Sequence, residues 1–449
     1  MNRWVRIAIF AVLLVVVPQI FIESAIYARV VSITGVCLLL WISEAVPPFV
    51  PTLLLWTLVP LFLAPLDGGF RLSNVLSWAV DPVMALFFGG FVLGVATERN
   101  GLDHLTQFAL RNSGRSFKKF LLLVISITAF LSMWMSNIAA AALVLACLHP
   151  ILAKFESDSI LRRVLLIGVA LGADFGGIST PIGTGPNAIA IASISPTHVS
   201  FLSWMAFAFP LTIGMLALSY AFLVWRARQS ESDWTEKGPH LSSLFGKKEQ
   251  QPDDQFHRMG FLIVLVGTIL LWLTEPFHGI PAAVVALGSA AIIFFSGILT
   301  KKDLPKIDWS TLLLIAGGIT LGRLLEQSAL IKSLSANVPF ADFNPMLSLF
   351  LLCLTSAILS ALMSNTATTV LLIPLALTLI PSPSTAILIA VSASFGIPFM
   401  ISTPPNAMVF GEGGVRFGDL FRPGIVLMII GCLIVSLTGR PVLNFVGIP

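Results

Sequence analysis

Polar residues are confined to short gaps between long apolar blocks, and the block lengths set the predicted elements. A helix crosses a bilayer with about 20 apolar residues, give or take a few. Eleven blocks have that character: 4–21, 27–46, 49–65, 79–98, 160–194, 201–226, 259–275, 279–298, 309–328, 384–412 and 419–438. Two more, 118–152 and 344–380, are too long for one span and too short for two. Each carries a polar step near its middle, Ser136-Asn137 in one and Ser364-Asn365 in the other. A hairpin of two half-length helical legs, entering and leaving on one side with Ser-Asn at its tip, accounts for both. The predicted fold class is an all-α polytopic membrane protein with eleven transmembrane helices and two re-entrant hairpins.

The pattern repeats. Leu131-Ser-Met-Trp-Met-Ser136-Asn137 returns as Leu359-Ser-Ala-Leu-Met-Ser364-Asn365, and Gly89-Gly90-x-x-Leu93-Gly94-x-x-x-Glu98 as Gly317-Gly318-x-x-Leu321-Gly322-x-x-x-Glu326. Trp41-x-x-Glu44 matches Trp272-x-x-Glu275, and Thr184-x-Pro186-Asn187-Ala188 matches Thr403-x-Pro405-Asn406-Ala407. Four matches in one order indicate a duplicated unit of roughly half the chain. The expected organisation is an N-terminal helix (1–26), a first repeat (27–226), a cytoplasmic linker (227–258) and a second repeat (259–449). The first repeat holds hairpin 118–152 and a broken helix at 160–194; the second holds hairpin 344–380 and a broken helix at 384–412. Five spans plus one hairpin per unit turn the second repeat upside down, the inverted-repeat arrangement of many secondary transporters.

Charge supports this layout. With the N-terminus in the cytoplasm and both hairpins re-entering, 21 of the 26 lysines and arginines fall on the cytoplasmic side, as the positive-inside rule requires. Composition agrees: 56% of residues are hydrophobic and 11% charged, against about 25% charged in soluble domains. The net charge of +4 is spread over short loops, so nucleic acid is not an expected partner. Cys37, Cys147, Cys353 and Cys432 all lie in apolar runs without CxxC spacing, which predicts buried packing roles. The first block has no cleavage-like A-x-A after it and is read as a membrane helix rather than a signal peptide.

Backbone that leaves helical geometry inside a membrane lines a cavity or is buried in protein. Four places qualify: the two Ser-Asn tips, and breaks at Pro181–Asn187 and Ser402–Asn406. Each restarting helix is expected to present N–H groups and about +0.5 charge, so four converging starts sum to roughly +2. That suits a small dianion with no lysine or arginine. Ser132 and Ser136, like Ser360 and Ser364, are spaced four apart, as on one helical face. With the Asn oxygens and carbonyls released at the breaks, each repeat offers a neutral oxygen cage fit for Na⁺. Asp174, at membrane depth, is expected to carry a proton, tune cation binding or accept a helix–helix hydrogen bond. Glu44, Glu98, Glu275 and Glu326 stand near span ends, where capping is the expected role. An enzyme would need a nucleophile with a base, an HExxH helix or paired intramembrane aspartates; none is present.

Trp-x-x-Glu, the paired hairpin signatures and the Pro-Asn breaks together resemble the divalent anion:sodium symporters (the DASS family of di- and tricarboxylate and sulfate carriers) over nearly the whole chain. The resemblance implies a homodimer whose transport domain moves elevator-fashion against a scaffold, with one sodium site per repeat. The first sodium site would use Ser132, Ser136, Asn137 and Gly183; the second, Ser360, Ser364, Asn365 and Ser402. The substrate would meet Ser136, Asn137 and Thr184 on one side, and Ser364, Asn365, Thr366 and Thr403 on the other. The expected function is sodium-coupled import of a small divalent anion, a C4 dicarboxylate such as succinate, malate or fumarate, across a bacterial inner membrane. The alternatives are a sodium-independent anion exchanger or a sulfate carrier. Two departures stand out. Ile138 occupies the position of the family's hairpin threonine, and Gly185 that of a proline, which is expected to loosen the first break.

Overall fold

Lipid offers the backbone no hydrogen-bond partners, so apolar blocks must satisfy their own amides as helices. The computed structural model describes residues 3–43, 45–100, 116–194, 197, 199–230, 234, 252–330 and 344–448, and among these there is no strand. Most of the 227–258 linker and Glu44 lie outside the described residues. The helices are α1 (Arg3–Phe21), α2 (Ala25–Ser43), α3 (Val50–Leu63), α4 (Leu72–Trp78), α5 (Pro82–Arg99), α6 (Phe117–Ser132), α7 (Asn137–Leu152), α8 (Ile160–Gly176), α9 (Gly185–Ser193) and α10 (Phe201–Ala227). They continue as α11 (Pro252–Leu273), α12 (Glu275–His278), α13 (Ala282–Phe295), α14 (Trp309–Gln327), α15 (Pro345–Leu362), α16 (Asn365–Leu379), α17 (Pro383–Ala393), α18 (Pro404–Gly411) and α19 (Phe417–Phe445). Each of the eleven apolar blocks coincides with one of these helices or with a broken pair, α8–α9 or α17–α18.

The two leftover blocks are helix pairs, α6–α7 and α15–α16, whose legs pack on each other. The legs run 16, 16, 18 and 15 residues, or about 22–27 Å at 1.5 Å per residue. They are longer than the half-length legs expected, and upright they would carry the tips past the centre of a hydrocarbon core about 30 Å thick.

The second break is also longer than its motif indicated. Helix α17 stops at Ala393, and ten residues separate it from the restart of α18 at Pro404. Pro398 lacks an amide proton and steers Ile397 out of helical geometry. A Cβ on Gly396 would come within 2.7 Å of Ala361 N and 2.8 Å of Ser360 C, so the unwound chain runs directly against hairpin α15–α16.

The paired Trp motifs tie helix corners. Trp41 Nε1 donates to Pro48 O at 2.8 Å and Trp272 Nε1 to Ala282 O at 3.0 Å. Glu275 is buried and caps a different helix, accepting from Phe201 N at 3.2 Å. Phe201 stacks on Trp272 with ring centroids 4.5 Å apart, and Trp134 from the first hairpin tip stacks on Trp272 at 6.4 Å. Buried Asp419 joins three helices: it accepts from Arg163 on α8 at 3.1 Å and from Arg226 on α10, and caps its own α19. All four cysteines are buried.

The short half-helices decide the architecture around the breaks. Helix α9, from the first half of the chain, packs on α16 and α17, while α18, from the second half, packs on α7 and α8. Each half-helix therefore completes the other half's hairpin.

Candidate substrate and cation site

A cavity of about 610 Å³ lies where the interlocked elements meet. That size falls in the range of small-molecule sites. It is lined by both hairpin tips (Ser136, Asn137, Ile138; Ser364, Asn365, Thr366) and both breaks (Gly183, Thr184, Gly185; Ser402, Thr403, Pro404). Asp308 and Thr311, at the start of α14, form one edge. No lysine or arginine is among these residues. Ile138 is 49% exposed there, so the first hairpin presents a methyl-bearing wall where the second presents the Thr366 hydroxyl.

Ser132 and Ser360 lie behind the cavity rather than on its wall. Ser132 Oγ donates to Asn137 Oδ1 at 2.7 Å and lies 2.6 Å from Ala173 O; Ser360 Oγ donates to Asn365 Oδ1 at 2.6 Å. The expected one-face pairing of Ser132 with Ser136, and of Ser360 with Ser364, is not present. Helix α6 ends at Ser132 and α15 at Leu362, while Ser136 and Ser364 have extended or non-helical backbones as N-caps of α7 and α16. The turn between the helices cancels the four-residue register, and each serine reaches across the tip to Asn instead.

The first break knots around two glycines. A Cβ on Gly177 would lie 2.4 Å from Asn137 Oδ1 and 3.0 Å from Gly183 O; one on Gly183 would lie 2.2 Å from Gly177 O. Ser132, Asn137 and Gly183 are therefore assembled in one place. Thr180 Oγ1 adds a bond to Met133 O at 2.6 Å, fastening break to hairpin. The motif asparagines act as stitches. Asn187 Nδ2 donates to Gly177 O (3.1 Å) and Thr180 O (2.8 Å), and Asn406 Nδ2 to Ile397 O (3.1 Å), Phe399 O (3.2 Å) and Ser402 Oγ (3.1 Å). This stitching was not read from the sequence, although the Pro-Asn repeat marked both positions. It turns both Oδ1 atoms away from those carbonyls. They are buried and, among the described residues, have no hydrogen-bond partner, and the same holds for Thr184 Oγ1. An amide oxygen only accepts, so these orphans fit a neutral oxygen set for a small cation.

The restarts are unequal. Thr184 makes no side-chain cap on α9, which begins Gly185-Pro186-Asn187 and keeps an N–H at its first residue. Helix α18 begins Pro404-Pro405-Asn406; its first two residues have no N–H, and Asn406 N donates to Thr403 Oγ1 at 3.3 Å. The expectation that every restart presents free N–H groups fails at α18. Gly185 likewise does not loosen the first break: a Cβ there would meet Thr366 Oγ1 at 2.5 Å, so glycine is what admits the second hairpin tip. Asp174 is buried off the cavity wall and accepts from Thr403 Oγ1 at 3.0 Å, a bond between α8 and the second break.

At the α14 edge a smaller pocket shares Ser136 and Asp308 with the cavity and adds Glu98 and Lys306. Lys306 Nζ is held by Asp303 Oδ1 at 3.0 Å, and Arg99 also pairs with Asp303. The Thr300 backbone N–H first, then Lys306, the Thr300 hydroxyl and Arg99, hold the Asp303 carboxyl down at about 2. Elsewhere, Glu326 pairs with Arg323 at 3.0 Å on the exposed end of α14.

Residues 38–386 and 340–446 match the citrate transporter (CitMHS) family. The chain belongs to the citrate transporter family. It is 29% identical over 426 residues to an uncharacterised transporter of Haemophilus influenzae, covering 89% of this chain and 88% of that one. It is 27% identical to the sodium-dependent dicarboxylate transporter SdcS of Staphylococcus saprophyticus, covering 88% and 82%. The fold is similar to the crystal structure of the Alcanivorax borkumensis YdaH transporter, with a TM-score of 0.59 and 16% identity over 87% of this chain and 98% of that one. The protein is thus an integral membrane secondary transporter of the citrate transporter family and not an enzyme, and the resemblance to the divalent anion:sodium symporters holds at the level of the family.

Proposed function

We propose that this chain imports a small divalent anion together with sodium, and that the anion is a C4 dicarboxylate such as succinate, malate or fumarate. The observation that carries this reading is the convergence of four helix starts on one cavity without a lysine or arginine. Helix dipoles and the N–H groups of α7, α9 and α16 suit carboxylates, and buried orphan oxygens beside them suit Na⁺. In this reading Ser132, Ser136, Asn137 and Gly183 hold one sodium, and Ser360, Ser364, Asn365 and Ser402 the other. Ser136, Asn137 and Thr184 face the substrate from one side, and Ser364, Asn365, Thr366 and Thr403 from the other.

Repeats 27–226 and 259–449 lie inverted in the membrane, with the N-terminus and the 227–258 linker in the cytoplasm of a bacterial cell. The hairpins and broken helices move as an elevator against the remaining helices, and the protein works as a homodimer. The test is uptake of labelled succinate into proteoliposomes, with an inward Na⁺ gradient against choline. Accumulation only with Na⁺ is expected. Uptake that ignores Na⁺ but needs internal dicarboxylate would replace symport by exchange.

A further inference from the structure

The two breaks differ in hydrogen-bond polarity. Thr184 and Thr403 are equivalent N-caps with nearly the same backbone, φ −142 and ψ 151 against φ −136 and ψ 150. A hydroxyl has one proton to donate and two lone pairs. The Thr403 proton goes to Asp174 Oδ2, and one lone pair takes Asn406 N–H. Pro404 and Pro405 add no N–H. The start of α18 therefore has acceptor capacity left and no free backbone donor in its first three residues. The Thr184 hydroxyl is buried and has no hydrogen-bond partner among the described residues. The position 219 residues after Asp174, matching the spacing of the two threonines, is Ala393, which takes no proton. Thr366, on the opposing hairpin tip, reaches across to Gly185, so hydroxyls and the Gly185 N–H gather at α9. Asp174 has spare capacity as well, because its Oδ1 has no hydrogen-bond partner among the described residues. Nothing there pulls it away from Thr403.

We propose that Asp174 is a positioning residue for substrate choice: by accepting the Thr403 proton it makes the second break an acceptor, so the favoured dianion carries a hydroxyl on its carbon chain. The bare carboxylate sits at Thr184, with Thr366 reaching toward that end from the opposing hairpin tip, and the hydroxyl-bearing end donates to Thr403. The substrate class is the hydroxydicarboxylates rather than the plain ones. This rests on reading the cavity as the transport site for a C4 dianion.

The test compares malate with succinate, which differ by that hydroxyl, as ligands that raise the thermal stability of the purified full-length protein in sodium-containing detergent buffer. Malate should bind about five- to tenfold more tightly than succinate, the worth of one hydrogen bond. Asp174→Asn keeps an acceptor oxygen toward Thr403 and should keep the ratio. Asp174→Ala should bring it close to one while the variant still binds dicarboxylates, and Thr403→Val, which alters a cavity residue, should also bring the ratio toward one. A merely structural role for Asp174 would weaken both ligands together and leave the ratio intact, which overturns the proposal. Equal binding of malate and succinate to the unaltered protein overturns it too, with the dicarboxylate reading left standing. Binding of neither, with no uptake in proteoliposomes, removes that reading and the proposal together.

Discussion

Gly185→Ala probes the interlock of the two halves directly. The added Cβ would lie 2.5 Å from Thr366 Oγ1, 2.9 Å from its Cγ2 and 3.3 Å from its Cβ. Forcing a methyl into such packing costs about 1–3 kcal/mol. On helix propensity alone the change gains up to about 1 kcal/mol, because alanine is the better helix former. Thr366 thus decides the sign. In the unaltered background Gly185→Ala should destabilise or be close to neutral. In a Thr366→Ala background the two nearest atoms are gone, and the same change should stabilise by up to about 1 kcal/mol. The coupling between the positions should be about 1–3 kcal/mol, equal to the relieved clash. Equilibrium unfolding of the four proteins in mixed micelles measures it. Additivity within about 0.5 kcal/mol would refute the packing of α9 against the second hairpin tip.

Three further outcomes are expected. Asn365→Ala removes the acceptor of the Ser360 hydroxyl and a tip residue of the cavity; proteoliposome uptake should be abolished, and normal uptake would sink the site assignment. Ile138→Thr places a hydroxyl on the exposed wall of the first hairpin; the order of preference among competing dicarboxylates and sulfate should shift, whereas an unchanged order would mean that backbone N–H groups already serve that end. Asp303 has a lowered folded-state pKa, so its contribution is present above the ordinary carboxylate value and is lost as pH falls from there to about 2. Asp303→Asn should therefore lower the melting temperature at pH 7, with the gap closing below pH 4 and gone only once the pH is below about 2; a pH-independent gap would contradict the ion cluster.

How much was legible beforehand differs from feature to feature. Helix positions, hairpin tips and the location of both breaks follow from block length, proline and the Ser-Asn steps, because these are local properties of backbone hydrogen bonding in an apolar medium. The family was legible too, since Pro-Asn breaks and paired signatures are short linear motifs. Three features were decided only by tertiary structure. The partner of Ser132 is Asn137 across a turn, and periodicity along a helix says nothing about where that helix stops. Gly185 is needed because Thr366, 181 positions later, stands where its side chain would be. Asp174 meets Thr403 because the half-helix α18 packs on α8. Both contacts come from exchange of half-helices between the two halves of the chain. Such an exchange leaves no local trace, because it depends on which surfaces meet after each half has folded its own helices.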